Sequence, residues 1–251
     1  MTGYTPEQTP TKVLPDLSSN VSKKVQVADM FNNIAGKYDF LNHFLSLGID
    51  KQWRKRAIKE MGEIKPKHIL DVATGTGDLA IAATSLQPQK ITGVDIAEKM
   101  LEAGREKIKA KNLDHLIELL PGDSEALPFK SDSFDGVMCA YGVRNFENLE
   151  AGLKEMNRVL RPGGKLVILE FSKPETFPIK QLFGIYFKFL LPWIGRLVSK
   201  HHRAYTYLPE SVKAFPQGKE FCSILKDCGY IKPKAKALTF GITTLYTAYK
   251  Q

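Results

Sequence analysis

The chain has 251 residues, of which 43% are hydrophobic and 25% are charged, and it carries a formal net charge of +9 at pH 7. This length is enough for one large α/β core or two small ones, and we expect one main domain. The positive charge suggests an anionic partner, either a nucleic acid or an acidic membrane surface, although solubility alone is an alternative explanation. Three cysteines without a C-x-x-C pair indicate a reducing compartment, and no spacing of His or Cys indicates a metal site.

The first part of the chain has two segments of different character. Residues 1–22 are rich in Thr, Pro and Ser and lack an apolar run, which is typical of a disordered tail and not of a signal peptide. Residues 23–62 carry apolar positions at helical spacing, so we predict two or three helices that form a cap ahead of the main sheet.

Strand-like and helix-like segments then alternate along the chain. The predicted strands are HILDVA (68–73), KITGVDI (90–96), IELLPGD (117–123), FDGVMCAYG (134–142) and GKLVILEFS (164–172), with helices at 78–86, 98–110 and 147–160. This alternation is typical of right-handed βαβ units and a parallel sheet with helices on both faces. Near the end, an amphipathic helix precedes Gly229, and AKALTFGITTLYTAYK (235–250) predicts two strands joined at Gly241.

The segment LDVATGTGDLA, residues 70–80, connects the first predicted strand to the following helix. Gly75 and Gly77 allow backbone amides to approach a ligand, and the helix start adds unpaired N–H groups. The spacing also satisfies a dinucleotide fingerprint, with Asp95 where a ribose-binding acid belongs, so an NAD-dependent dehydrogenase is one interpretation. Asp71 argues against it, because a carboxylate there is unfavourable beside a pyrophosphate and favourable beside an ammonium or sulfonium ion.

Two later segments continue this pattern. In GDSEALPF (122–129), Asp123 follows the third strand and can accept a hydrogen bond from an exocyclic amine such as that of adenine, and the turn 162–164 leads into a fifth strand. Asp71 ends the first strand and is followed by the glycine loop, and Asp95 and Asp123 lie at the ends of the second and third strands. This order resembles the class I S-adenosylmethionine (SAM)-dependent methyltransferases over about residues 65–250. The resemblance implies an α/β Rossmann-like fold, a seven-stranded, mostly parallel sheet with its last strand antiparallel, and SAM as cofactor.

A narrower resemblance covers nearly the whole chain. Together with the motifs above, YDFLN (38–42), GVRN (142–145), RVLRPGGKLVILEFS (158–172) and YTYLPESVKAFP (205–216) are similar to the motif series of the ubiquinone/menaquinone biosynthesis C-methyltransferases. Members of this family methylate a ring carbon of a polyprenylated quinol, which is demethylmenaquinol, the methoxy-benzoquinol precursor of ubiquinone, or both. The resemblance implies a cofactor site made of Asp71, Gly75, Thr76, Gly77, Asp95, Asp123 and Ser124.

The same resemblance places three residues at the site of methyl transfer. A ring carbon becomes nucleophilic when an adjacent phenol, with a pKa of about 10, loses its proton, so the site should favour phenolate. Arg144 is the expected cation for this purpose. Asn145 is expected to position a water or to bind the other ring oxygen, and Tyr38 in the cap is expected to close over the quinol.

Each of these assignments has an alternative. Asp71 could cap the loop amides, and Asp95 could be a helix N-terminal acid. Asp123 and Ser124 could form a turn, and Arg144 could form a surface ion pair. For the function, the alternatives are a methyltransferase for a sterol or small phenol and a non-catalytic module that binds SAM and RNA. The basic residues are dispersed rather than clustered, so we expect no nucleic-acid partner.

Residues 177–204 form a predicted lipophilic insertion that contains FPIKQLFGIYFKFLLPWIGRLV. Lys180, Lys188, Arg196 and the break at Pro192 make it a poor transmembrane span. Its aromatic residues and cations favour a segment at an anionic membrane surface that covers a lipid-soluble quinol, with a buried core helix as the alternative. We therefore expect a cytoplasmic protein that associates peripherally with the inner face of the membrane.

Overall fold

A computed structural model describes residues 13–186 and 203–251 of the protein. Its α-helices are α1 (Lys23–Ile34), α2 (Tyr38–Leu45), α3 (Asp50–Gly62), α4 (Asp78–Ala83), α5 (Glu98–Ala110), α6 (Leu149–Val159), α7 (Ile179–Ile185), α8 (Arg203–Ala214) and α9 (Lys219–Asp227). Its strands are β1 (His68–Val72), β2 (Lys90–Asp95), β3 (Ile117–Pro121), β4 (Phe134–Ala140), β5 (Leu160–Phe171), β6 (Tyr230–Leu238) and β7 (Thr243–Lys250). Short 3-10 helices lie at Ala35–Lys37, Thr84–Leu86, Val143–Asn145 and Thr239–Gly241.

The strands form one seven-stranded sheet in the order β3-β2-β1-β4-β5-β7-β6. Strands β1 to β5 pair in parallel, whereas β7 runs antiparallel to both of its neighbours, β5 and β6. This topology confirms the predicted Rossmann-like sheet with its antiparallel last strand. The strand order reverses between β1 and β4, and open α/β sheets bind ligands at the carboxyl ends of the strands beside such a reversal.

Different helices cover the two faces of the sheet. On β1, Leu70 and Val72 pack in a core with residues of α6 and α9, whereas Ile69 packs in a second core with residues of α3, α4 and α5. Successive side chains of a strand point to opposite faces, so a strand covered on both faces must be apolar at nearly every position. This burial explains the continuous apolar runs in the sequence.

The cap helices α1 to α3 form between Lys23 and Gly62, where the sequence predicts two or three helices. Of the tail predicted for residues 1–22, residues 1–12 lie outside the described part, and residues 13–22 contain no helix or strand. The backbone amide of Asp16 donates to Oε1 of Gln26 at 2.8 Å, so part of this segment is attached to α1.

The start of β6 differs from the prediction. The sequence indicates a strand from Ala235, but β6 begins at Tyr230 and includes Pro233. Proline lacks a backbone N–H, and it is tolerated here because β6 is the edge strand and its register shifts between Ile231 and Lys234. The predicted hairpin itself is confirmed, with Gly241 at a φ of +90° between the two strands.

Only part of the predicted lipophilic insertion falls within the described residues. Helix α7 lies within its first third, while Lys188, Pro192 and Arg196 lie outside the described residues. Across residues 13–186 and 203–251, no helix combines the length and the apolar character needed to cross a membrane.

We predict that Gly164→Ala lowers the free energy of unfolding by about 1 to 3 kcal/mol, the usual cost of overpacking. A Cβ atom at this position would lie 2.8 Å from the carbonyl oxygens of both Arg161 and Asp135, and backbone atoms cannot move aside as a side chain can. Chemical denaturation measures the loss. Gly36→Ala is the matched control, since nothing lies within 4 Å of its added Cβ, and equal stability of the two variants would contradict the prediction.

Candidate functional site

Two neighbouring cavities lie at the carboxyl edge of the sheet. The small cavity has a volume of about 70 Å³ and lies between α1 and the loops that follow β1 to β4. The large cavity has a volume of about 410 Å³ and is bordered by residues of α1, α2, α3, α7 and α8. Phe31, Tyr38 and Tyr141 line both cavities, so groups bound in the two cavities would be neighbours.

The structure distributes the predicted site residues over these cavities. Most of them line the small cavity, namely Tyr38, Gly75, Asp95, Asp123, Ser124 and Asn145. Arg144 lines the large cavity, together with Tyr38. The lining of neither cavity includes Asp71, Thr76 or Gly77.

The loop after β1 and the end of β2 are held together by Asp95. Its Oδ2 accepts a hydrogen bond from the amide of Gly75 at 2.8 Å, and its Oδ1 accepts one from the amide of Ala97 at 2.9 Å, just before α5. Burial raises the pKa of Asp95, and the hydrogen bonds from Ala97 and Gly75 oppose that rise. Asp95 therefore makes a contact at the start of α5, as expected for the alternative assignment of a helix N-terminal acid. It also lines the small cavity.

Gly75 itself is required by conformation and by space. Its φ is +57°, in the left-handed region that favours glycine. An added Cβ would lie 3.3 Å from Cε of Met100 and 4.0 Å from a ring carbon of Tyr38. The absence of a side chain here keeps the wall of the small cavity open.

Asp71 lies behind the loop and is almost completely buried. Its Oδ2 accepts a hydrogen bond from the Thr74 hydroxyl at 2.7 Å, while Oδ1 has no partner among the described residues. Burial raises the pKa of Asp71 to about 7. This contact joins Asp71 to the loop through a hydroxyl group, and both the capping of loop amides and an influence on a cationic ligand stay predictions.

Thr76 and Gly77 connect the loop to other elements. The Thr76 hydroxyl donates to Oδ1 of Asp39 on α2 and lies 3.0 Å from the ammonium group of Lys107 on α5. A Cβ on Gly77 would lie 3.4 Å from Ile108, so this glycine packs against α5. Direct contacts of Thr76 and Gly77 with a cofactor stay predictions.

The sequence analysis did not identify Lys24, which contacts the predicted adenine-binding acid. The Lys24 ammonium group hydrogen-bonds to Oδ2 of Asp123 and lies 3.6 Å from Oε2 of Glu125, and its hydrogen bond with Asp123 raises its pKa. A ligand amine would compete with Lys24 for that oxygen. The small cavity is also below the roughly 300 to 1,000 Å³ of typical ligand sites.

Arg144 forms a buried ion pair with Glu170 on β5. Its Nη1 lies 2.8 Å from Oε1 of Glu170 and also donates to the carbonyl of Tyr141. The side chains are 8% and 0% exposed, so the pair is buried and not the surface pair considered as an alternative. Burial raises the pKa of Glu170, and the charge of Arg144 opposes that rise. The Nε–H of Arg144 has no partner among the described residues.

Asn145 and Tyr38 both line the small cavity. The Asn145 amide nitrogen donates to the carbonyl of Tyr141 at 3.3 Å, and its Oδ1 has no partner in the described part of the chain. The Tyr38 hydroxyl hydrogen-bonds to the side chain of Asn42, and burial raises its pKa. Its hydroxyl is therefore already hydrogen-bonded, and Tyr38 lines both cavities.

An aromatic cluster that the sequence analysis did not identify forms part of the wall of the large cavity. The ring centroids of Tyr141 and Phe171 are 4.4 Å apart, and Trp53 lies 6.2 Å from Tyr141 and 6.3 Å from Phe171. The Trp53 indole N–H donates to Thr239 at 2.8 Å. These rings come from three distant parts of the chain, so local sequence patterns could not group them.

One group of side chains in the described residues has the composition of a metal site. Ligand-type atoms of His43, Asp50 and Asp78 lie within 4.8 Å of one another. The guanidinium group of Arg54 pairs with both Asp50 and Asp78, so the protein itself balances the charge of these carboxylates. We therefore assign no metal to this group.

Comparison with known sequences gives matches over nearly the full chain. The sequence profile of the ubiE/COQ5 methyltransferase family matches residues 19–250. A Bacteroides fragilis protein named demethylmenaquinone methyltransferase is 48% identical over 242 residues, which cover 96% of this chain and 99% of that protein. A Geotalea daltonii protein named ubiquinone/menaquinone biosynthesis C-methyltransferase UbiE is 44% identical over 230 residues, covering 91% of this chain and 97% of that protein.

Comparison with solved structures agrees on the fold. The crystal structure of a SAM-dependent methyltransferase from Aquifex aeolicus matches with a TM-score of 0.57 and 19% sequence identity. The match covers 78% of this chain and 88% of that one. At this identity the match concerns the fold alone.

We predict that Lys24→Ala increases the association rate of SAM by up to about fivefold, because the ligand no longer has to displace Lys24 from Asp123. The limit follows from the roughly 0.2 to 1 kcal/mol that a partly exposed ion pair contributes. Stopped-flow fluorescence measures the rate. Lys154→Ala, which removes an exposed ion pair on α6, is the matched control, and slower association in Lys24→Ala would show that Lys24 binds the ligand instead.

Proposed function

The chain belongs to the ubiE/COQ5 methyltransferase family, and we propose that it transfers the methyl group of SAM to a ring carbon of demethylmenaquinol. The observation that carries this proposal is the contact between the two cavities, which share Phe31, Tyr38 and Tyr141. A small cavity that contains several polar groups for a methyl donor thus adjoins a large, mainly apolar cavity for a lipid-soluble acceptor. The methoxy-benzoquinol precursor of ubiquinone is the second acceptor to test, since a 44% identical relative carries both quinones in its name.

The residues of the small cavity fit SAM. Asp95 presents a buried carboxylate for the ribose hydroxyls, while Asp123 and Ser124 supply polar groups for adenine. Ile96 and Met100 provide apolar walls for a planar base. When bound, SAM supplies an electrophilic methyl group on a sulfonium ion.

The large cavity fits a fused aromatic ring that carries an apolar tail. Its volume of about 410 Å³ lies within the range of small-molecule sites. Its walls are mainly aromatic and aliphatic, with Arg144 as a charged group beside the shared residues. Such a lining favours the ring and tail of a polyprenylated quinol over a polar acceptor.

Arg144 is the residue that we propose stabilises the ionised acceptor. The unpaired Nε–H is a charge-assisted donor in a water-poor environment, and such a donor stabilises the oxygen of a phenolate. Ionisation of that oxygen, with its proton passing to water, makes the adjacent ring carbon nucleophilic. The carbon loses its own proton once it carries the methyl group, which restores the aromatic ring. Tyr38 separates the reacting groups from bulk water, and the free Oδ1 of Asn145 can orient a water that accepts the proton.

The direct test uses SAM with a deuterated methyl group, short-tailed demethylmenaquinol kept reduced, and the purified protein. Mass spectrometry should find one labelled methyl group on the naphthalene ring. Parallel reactions contain the methoxy-benzoquinol and a small phenol, and calorimetry compares SAM with NAD. Labelling of the small phenol alone, or tight binding of NAD without SAM binding, would contradict the proposal.

We predict that Arg144→Ala lowers kcat by about 10² to 10³, the usual effect of removing one donor to a developing oxyanion. The affinity for SAM should stay unchanged, because Arg144 lines the large cavity. Raising the pH should partly restore turnover, since more of a phenol with a pKa of about 10 then ionises unaided. Arg161→Ala, which removes a partly exposed ion pair with Asp135, is the control, and normal turnover of Arg144→Ala would exclude the role.

A peripheral position at the membrane is also part of the proposal. Leu47 and Leu182 line the large cavity and are 83% and 58% exposed, and Phe177 and Ile185 on or beside α7 are exposed as well. Single exposed apolar residues are common, but these include residues at the opening of a cavity proposed to hold a lipid. The net charge of +9 favours an anionic surface.

We predict that the protein floats with vesicles of phosphatidylcholine and phosphatidylglycerol and that salt weakens this binding. Lys180→Ala should weaken it by about fivefold, because a lysine near an anionic surface contributes about 1 kcal/mol. The same effect is expected at Lys188, which lies outside the described residues. Lys109→Ala, at the far end of α5, is the control. Absence of flotation at low salt, with normal turnover of a long-tailed quinol, would contradict the membrane position.

A further inference from the structure

A second polar group of the large cavity has no role in the account so far. Tyr207 on α8 lines this cavity and is 3% exposed. Its hydroxyl has no hydrogen-bond partner among the described residues. Buried hydroxyls are nearly always paired, because an unpaired one loses the hydrogen bonds that it makes with water. Because Tyr207 also lines the large cavity, a ligand bound there is a candidate for the missing partner.

Other tyrosines of the cavity differ from Tyr207 in this respect. The Tyr38 hydroxyl is bonded to Asn42, and the Tyr141 hydroxyl lies 3.4 Å from Oγ1 of Thr243. Burial raises the pKa of Tyr207 to about 12, so its hydroxyl keeps its proton at neutral pH and can donate. The charge of Arg144 acts on the same hydroxyl, which places the two groups in one electrostatic environment.

Two residues of the mainly apolar wall of the large cavity, Arg144 and Tyr207, each carry a buried donor without a partner among the described residues, namely Nε–H and the hydroxyl. A quinol has two oxygens at opposite positions of its ring, and only one of them is adjacent to the carbon that is methylated. Arg144 can serve that oxygen, and the second oxygen then needs another donor. Other polar side chains of the wall are already bonded within the protein, namely Asn42 to Tyr38, Ser46 to Asp50 and Arg54 to Asp50. Asn145, a candidate from the sequence, lines only the small cavity.

We propose that Tyr207 hydrogen-bonds the second ring oxygen of the quinol and thereby makes the enzyme specific for acceptors with two opposed oxygens. This inference rests on the proposed function. It adds to the proposed class of acceptors a residue that selects among the members of that class. A site built to bond a hydroxyl disfavours an analogue without it, because the protein group is then left unpaired.

The test combines a deletion in the protein with a deletion in the substrate. The two acceptors are 2-prenyl-1,4-naphthalenediol and 3-prenyl-1-naphthol, which keeps the hydroxyl beside the methylated carbon and lacks the opposite one. The wild-type enzyme should prefer the diol by about 10- to 100-fold in kcat/KM. In Tyr207→Phe, kcat/KM for the diol should fall by this factor. Its kcat/KM for the naphthol should stay within about twofold of the wild-type value, and its affinity for SAM should be unchanged.

Tyr230→Phe is the matched control, because it removes a buried hydroxyl that donates to the carbonyl of Leu153 and belongs to neither cavity, and it should retain the preference for the diol. An unchanged preference in Tyr207→Phe, or an equal loss on both acceptors, would overturn the inference while leaving the proposed function intact. The absence of a preference in the wild-type enzyme would overturn it independently of any variant. If the wild-type enzyme methylates neither acceptor, the proposed function fails and the inference fails with it.

Discussion

The buried ion pair between Arg144 and Glu170 is the interaction on which the proposed chemistry depends. A lone cation in this apolar wall would be costly, and Glu170 on β5 offsets that cost while it holds Nη1 at 2.8 Å. The carbonyl of Tyr141 binds the same nitrogen, so the guanidinium group is held on one side and its Nε–H stays available. The pair therefore determines both that a charge is present beside the acceptor and which atom carries the free donor.

The sheet determines where that charge lies relative to the cofactor site. Because the carboxyl ends of β1 to β4 meet at one edge, Gly75, Asp95, Asp123 and Asn145 converge around one cavity. Helix α1 is joined to this edge in part by polar contacts, among them Lys24 with Asp123. Polar contacts of this kind open at a lower cost than an apolar core does, which suits the displacement of Lys24 that we expect when SAM binds.

The sequence predicted those parts that depend on local pattern. Helix α5 forms at its predicted bounds because Met100, Leu101 and Ile108 recur at helical spacing and are buried together. Lys24 was missed because its partner lies 99 residues away, and the orphan hydroxyl of Tyr207 is defined only by the tertiary structure. Glu170 did leave a signal, since it is an acid inside the apolar run LVILEF, where only a buried counter-charge makes it acceptable.

The ionisation of a bound acceptor analogue tests the central claim most directly. The pKa of 1-naphthol can be followed by ultraviolet absorbance in water and in the protein saturated with S-adenosylhomocysteine. An apolar cavity by itself raises the pKa of a phenol, whereas a fixed cation lowers it. The account predicts a bound pKa below the value in water and the loss of this decrease in Arg144→Ala. A bound pKa at or above the value in water would contradict it.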